Sequence, residues 1–397
     1  MASETRTALI YGAYDFSNSG YALTFQSFLF PILLSAAYHG SGSSGTVWGT
    51  VVTLSSLAAI VVGPFVGRYS DHVGKGPVFV WLVVSTGVLA VVCPLVFQDR
   101  LWLLALGFIV FNTTFELSQS LYDSFLLDFR STAEGMTRLS TFAWGFGYLG
   151  GSVSAIVYLL LNRRETPAAI SLAVLAGLFL VLSIPAMIGF TRANPRRKGA
   201  SLHFSQILAV KNPVPWRDIV VYWLIADSVG AVLYFTPLYM REELKLSTKE
   251  LGIIILGTQL VAFPLTVVMG RVANRWGIVR TIRLSLIVWL CGLTGLFFAR
   301  SIAQLIPAML ALALVFGSTQ ALMRSHFAAR LSLERSGEGF GFFAIAQKSA
   351  AVFAPGLIAL MSLVTGSLRP TYLVVALLIA VALLLSRRIP EADPASS

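Results

Sequence analysis

Twelve separate stretches of this chain are long and apolar enough to cross a bilayer, and no other feature constrains its fold as strongly. A spanning helix needs about 20 mainly apolar residues. That ruler places helices over residues 8–38, 46–68, 78–97, 101–121, 138–161 and 168–190. A second set falls over 218–240, 250–269, 281–299, 302–323, 340–364 and 371–386. The longest polar stretch, 191–217, lies between the sets and carries Arg192, Arg196, Arg197, Lys198, Lys211 and Arg217. The expected architecture is all-α and integral to the membrane, with two pseudo-symmetric six-helix bundles. The first covers 1–190, a cytoplasmic linker covers 191–217, and the second covers 218–397. Only 12% of the residues are charged, against roughly 25% in soluble proteins. That balance excludes a soluble enzyme, a nucleic-acid reader and a disordered chain.

The net charge of +11 is explained by topology rather than by a polyanionic partner. With the N-terminus inside, 20 Lys and Arg fall on the inner side and eight on the outer side, with Lys348 inside a span. Basic residues mark cytoplasmic segments, so both termini are expected there. The first apolar stretch far exceeds the roughly 7–15 residues of a signal-peptide core, and it carries Asp15, Ser17 and Asn18. It reads as a spanning helix. Cys93 and Cys291 each sit within an apolar stretch and read as packing residues. The four histidines, His39, His72, His203 and His326, read as scattered over loops, so no metal site is expected. No Gly-x-x-x-x-Gly-Lys-(Ser/Thr) run and no catalytic dyad occurs, so neither an ATP-driven pump, an enzyme nor a cofactor is expected.

An internal repeat relates the two sets. Gly67-Arg68-Tyr69-Ser70-Asp71-His72-Val73-Gly74 follows the second helix, and Gly270-Arg271-Val272-Ala273-Asn274-Arg275-Trp276-Gly277 follows the eighth. Gly-x-x-Leu-x-Phe recurs in the first and seventh helices, from Gly20 to Phe25 and from Gly230 to Phe235. Parallel repeats of this kind occur in secondary transporters. The first copy, extended to Lys75, resembles the signature loop of the major facilitator superfamily, and Asn274 replaces the acid in the second copy. The resemblance implies a latch on the cytoplasmic side built from Gly67, Arg68, Asp71, Gly74, Lys75, Gly270, Arg271, Asn274, Arg275 and Gly277. Asp128 and Arg324 are expected to pair across the halves. Tyr14 to Gly20, Tyr122 to Asp128, Trp144 to Gly151, Gly317 to Ser325 and Gly341 to Lys348 resemble, in order, segments of the vacuolar amino-acid effluxer-like family within that superfamily. A bacterial cytoplasmic membrane is the expected location.

An ionisable side chain inside a span costs about 2.5–3.5 kcal/mol on insertion scales. Asp15, Glu116, Asp227 and Lys348 are expected in helices 1, 4, 7 and 11, all in the inner half of the bilayer. Helices 1, 4, 7 and 10 line the cavity in the resembled superfamily. With Asn18 and Gln320 these charges form the expected solute and proton cavity. Gly147-x-x-x-Gly151 has small-x-x-x-small spacing, and the superfamily resemblance implies that it slides against helix 8. Pro31 and Pro237 are expected to bend helices 1 and 7 at an outer gate. The reading is a monomeric secondary transporter that effluxes a small amino-acid-like solute, with proton coupling. The alternatives are a cation, polyamine or metal exporter, a lipid transporter of the same fold, and a non-transporting receptor.

Overall fold

The computed structural model describes residues 2–38, 44–196, 209–211, 214–246, 248–365, 367 and 369–391. Among them the regular structure is wholly helical. Helix α1 runs as an α-helix over Ala2–Tyr21, widens into a π-helix over Ala22–Phe28, and resumes over Leu29–Ala36. It is followed by α2 (Ser44–Val73), α3 (Lys75–Phe97), α4 (Leu101–Ser124), a single turn at Leu126–Phe129, α5 (Ala133–Arg163) and α6 (Ala168–Ala193). The second set comprises α7 (Trp216–Glu242), α8 (Thr248–Trp276), α9 (Ile278–Phe298), α10 (Ile302–Ala328), α11 (Ser336–Thr365) and α12 (Pro370–Ser386).

Several helices outrun the apolar stretches that announce them. The 30 residues of α2 span about 45 Å at 1.5 Å per residue, so most of the Gly-Arg repeat is helical rather than loop. The break falls on its last glycine. Gly74 has φ +105° and Gly277 has φ +100°, a region that side chains with a Cβ rarely occupy. Each glycine starts a new helix, and in each half the chain leaving the last helix caps it. Asn194 accepts from Lys75 N at its side-chain oxygen (3.1 Å) and from Gly76 N at its carbonyl (3.0 Å). Glu391 accepts from Val279 N (3.0 Å) and Arg280 N (3.1 Å). These bonds satisfy amides that have no partner within their own helix.

The chain divides into two compact units. One comprises residues 1–129, 146–211 and 332–344; the other comprises 130–145, 212–331 and 345–397. A boundary in the linker assigns α5 and α11 whole to one side each, whereas here each contributes a segment to both units. Within the first unit, α3 packs on α4 and α6, α1 on α6, and α2 on α4. Within the second, α9 packs on α10 and α12, α7 on α12, and α8 on α10. Each pairing recurs six helices later, so the repeat extends from the glycine motifs to the packing.

Helix α1 does not simply bend at Pro31. The π segment ends just before it, with Leu29 N–H bonded to the Thr24 carbonyl five residues back. Proline lacks the N–H that would extend the α ladder. Pro237 lies within α7, and its side chain is outside the described residues. The first unit is packed with buried rings, including Tyr21 on Phe115 (3.9 Å between centroids), Phe125 on Phe190 (4.3 Å) and Tyr11 on Tyr122 (4.5 Å). Exposed Trp216 and Trp276 mark the ends of α7 and α8 nearest the glycine breaks; tryptophan is enriched at such interfacial positions.

Candidate functional site

The first copy of the repeat builds a docking seat for the start of α11. Gly63 and Gly67 on α2 meet Gly337 and Gly341 on α11. A Cβ on Gly341 would stand 2.6 Å from Pro64 Cα, and one on Gly67 would overlap the Gly337 carbonyl. Two small-x-x-x-small pairs thus bring the backbones together. Both spacings are present in the sequence, but spacing does not reveal which helices they join. Asp71 closes the seat, accepting from Gly337 N and Glu338 N at 2.8 Å each. A carboxylate at a helix N-terminus both caps free amides and meets the positive end of the helix dipole. Ser120 on α4 adds a bond to the Phe340 carbonyl (2.9 Å).

Charges complete the seat. Glu338, 2% exposed, accepts from Arg68 (3.4 Å), Arg335 (3.1 Å) and the Lys211 amide (2.6 Å). A cleft of about 500 Å³ opens over these groups, lined by Arg68, Asp71, His72, Glu334, Arg335 and Glu338. Lys75 is buried; it forms an ion pair with Asp128 and donates to Ser336 Oγ (2.9 Å) and the Ser124 carbonyl (3.3 Å). Asn194 donates to the other Asp128 oxygen at 2.8 Å.

Asp128 therefore belongs to Lys75, which corrects the expected pairing with Arg324. Arg324 is fully buried, donating to Ser140 Oγ and the Ser140 carbonyl at 2.9 Å each, with its guanidinium 5.3 Å from the Trp144 ring. Choosing between carboxylates at helix ends depends on rotation about each helix axis, which spacing does not reveal.

The second copy seats a different helix. A Cβ on Gly270 would overlap the Thr141 side chain of α5. Ser140 donates to the Ala321 carbonyl (2.7 Å), and Asn274 donates weakly to the Glu134 carbonyl (3.4 Å). Thus α2 and α4 hold the start of α11, while α8 and α10 hold the start of α5. Arg271 and Arg275, expected as gate charges, are exposed and form no ion pair among the described residues.

The helix-5 glycines also differ from expectation. Gly145 meets Phe263 of α8, whereas Gly147 and Gly150 pack on α1 against Asp15, Ser19 and the Phe16 backbone. Gly151 is buried in the same helix. The contact with α8 comes two residues before the Gly147–Gly151 pair. His72 lies in the last turn of α2, and His326 is buried in α10 between Tyr222 OH (2.5 Å) and the Pro390 carbonyl (3.1 Å), so neither lies on a loop. His39 and His203 fall outside the described residues.

The intramembrane charges divide between the units. In the first, Asp15 accepts from Tyr122 OH (2.8 Å) and Asn18 Nδ2 (3.3 Å). Glu116 accepts from Gln26 Nε2 at 2.6 Å. Tyr14, bonded to Ser118 at 2.5 Å, stands within electrostatic reach of Asp15, Glu116 and Asp123. All three acids are buried. Asp123, which was not among the expected cavity charges, joins this set. In the second unit Asp227 is 4% exposed, and its Oδ1 has no hydrogen-bond partner among the described residues. Gln320 and Lys348 are half-buried in α10 and α11. No group of three or more metal-ligating side chains forms among the described residues.

The architecture matches solved transporters over nearly its whole length. The human organic anion transporter MFSD10 (TETRAN) superposes with a TM-score of 0.77 at 14% identity, covering 96% of this chain and 99% of that one. The major facilitator superfamily proton:xylose symporter XylE superposes with a TM-score of 0.75 at 14% identity, over 98% and 96%. This is the major facilitator fold. The Major Facilitator Superfamily sequence model matches residues 219–397 of the chain. An uncharacterized MFS-type transporter of Bacillus subtilis, YxiO, is 24% identical over 95% of this chain and 93% of its own length.

Proposed function

We propose that this major facilitator protein is a secondary transporter that moves a small, polar, amino-acid-like solute outward by alternating access, driven by proton exchange. It acts as a monomer in a bacterial cytoplasmic membrane, with both termini and the glycine latch on the cytoplasmic side. The observation that carries the reading is Asp227, a carboxylate buried in a spanning helix with an oxygen that meets no donor among the described residues. A charge in that position is costly, and intramembrane acids of this kind mark ion pathways. Reversible proton uptake there gives transport a coupling step. Asp15 and Glu116, already hydrogen-bonded, serve the solute rather than the proton.

Counterflow in proteoliposomes tests this directly, using amino acids, polyamines and metal ions with and without a pH gradient. Asp227→Asn is expected to retain exchange of a preloaded solute while losing acceleration by the gradient. If the variant keeps its gradient dependence, Asp227 has no part in coupling.

The latch predicts a separate kinetic effect. In Asp71→Asn one amide N–H meets an NH2 group instead of an acceptor, and the charge facing the α11 dipole is gone. Bonds to charged groups are worth about 1.5–3 kcal/mol, so turnover should slow about tenfold while solute Kd changes less than twofold. An unaltered exchange rate would show that the seat plays no part in the transport cycle.

A further inference from the structure

The π-helix in α1 has no role in the coupling or latch described above. Its backbone carries one residue more per turn than an α path, a feature that recurs at functional sites. Within this segment lies Gln26, and its Nε2 donates both to Asn112 Oδ1 (3.0 Å) and to Glu116 Oε1 (2.6 Å). Asn112 and Glu116 are four residues apart on α4, one turn above the other. Both are buried, whereas Gln26 lies over them partly exposed. Asn112 is oriented from its far side, donating its own Nδ2 to Ser55 Oγ at 2.9 Å. Its oxygen is thereby held toward Gln26. One neutral NH2 group thus spans an amide oxygen and a carboxylate oxygen, an acceptor pair to which an ammonium would add the Coulomb attraction of opposite charges.

We propose that Gln26 is an internal stand-in for the solute's amino group: Asn112 and Glu116 form a subsite for a primary ammonium, and Gln26 sets its selectivity by competing for the same two oxygens. The proposal rests on the transport reading above and names the class of solute. When an ammonium arrives it takes both oxygens, and the Gln26 side chain withdraws. The widened turn supplies the slack, because exchanging a five-residue backbone bond for a four-residue one rotates the side chain about the helix axis. The Thr24 hydroxyl bonds the Gly20 and Tyr21 carbonyls (2.8 and 3.3 Å) at the start of the widened turn. A purely structural Gln26 would instead tie α1 to α4, and its removal would weaken all ligands alike.

The test is ligand-induced thermal stabilisation of the purified protein, using L-leucine, putrescine and their N-acetyl derivatives as probes. The wild-type protein is expected to be stabilised by the amines and not by the acetylated forms. Gln26→Ala uncovers the acceptor pair and should lower the apparent Kd for the amines about tenfold, leaving the acetylated forms without effect. Gln26→Met preserves bulk without donors and should behave the same way if the alanine variant folds poorly. Glu116→Gln should erase the preference for amines. The proposal is overturned if both Gln26 variants bind amines no more tightly than wild type, or if amines and acetylated forms change in parallel. Counterflow on the same samples separates the two readings. Amine binding without exchange would strike the transport reading and leave the subsite standing, whereas exchange of another solute by a protein blind to amines would remove the subsite alone.

Discussion

Replacing Lys75 by Met is expected to destabilise the protein by about 3–5 kcal/mol, the usual cost of leaving one partner of a buried ion pair uncompensated. Lys75 is 1% exposed and Asp128 has its side chain only 5% exposed, so solvent cannot take over the lost partner. The methionine chain fills the space of the lysine stem against Phe125, whose ring lies 5.1 Å from the ammonium. The loss is therefore electrostatic rather than a cavity. Adding Asp128→Asn removes the stranded charge and should restore most of the stability, because Asn194 and the new amide can still hydrogen-bond. Reversible unfolding in detergent micelles across the four members of this double-mutant cycle measures the coupling. Additive losses would mean that the two side chains do not depend on one another, and the ionic part of the latch would have to be abandoned.

Gly150→Ala is the second large effect. A Cβ there would overlap the Phe16 carbonyl, which is backbone in the middle of α1 and has little freedom to retreat. Two further small residues line the same crossing: a Cβ on Gly147 would stand 2.7 Å from Ser19 Oγ, and one on Gly20 would stand 3.0 Å from Ser154 Cβ. Overpacking of this kind costs about 1–3 kcal/mol, and more where backbone must move. We expect about 3 kcal/mol. Gly177 in α6 provides the control, since a Cβ there meets nothing within 4 Å. Gly177→Ala should be neutral or stabilising by up to about 1 kcal/mol, because alanine loses less backbone freedom in a helix. Equal melting behaviour of the two variants would show that α1 and α5 are not held by close backbone approach.

The parts of the structure that were legible from sequence are those that follow from solvation and local backbone geometry. Apolar length announced the twelve long helices among the described residues, nine of which are long and apolar enough by themselves to cross a membrane. The repeated Gly-Arg-x-x-(Asp/Asn)-x-x-Gly pattern ends on Gly74 and Gly277, and both have a positive φ that favours glycine. What escaped depends on rotation and distance. Asp128 and Glu338 look alike as acids near helix ends, yet one meets Lys75 and the other gathers Arg68 and Arg335. The α1 π turn left no compositional mark, since Ala22–Phe28 would read as ordinary helix and only Pro31 hints at an irregular ladder. The division of α5 after Gly145 and of α11 after Ala344 reflects where small residues meet, and a hydropathy profile contains no such information.

Asn194 and Glu391, each supplied by the chain just beyond a bundle's last helix, impose an order on assembly. The opening turn of α3 waits for the residue that follows α6, and that of α9 waits for the residue that follows α12. The N-terminal half holds its own closing acceptor and can be completed while the rest of the polypeptide is still being made. The C-terminal half is closed in the same way once Glu391 has been made, and cutting the chain ahead of Glu391 would leave the Val279 and Arg280 amides without their acceptor.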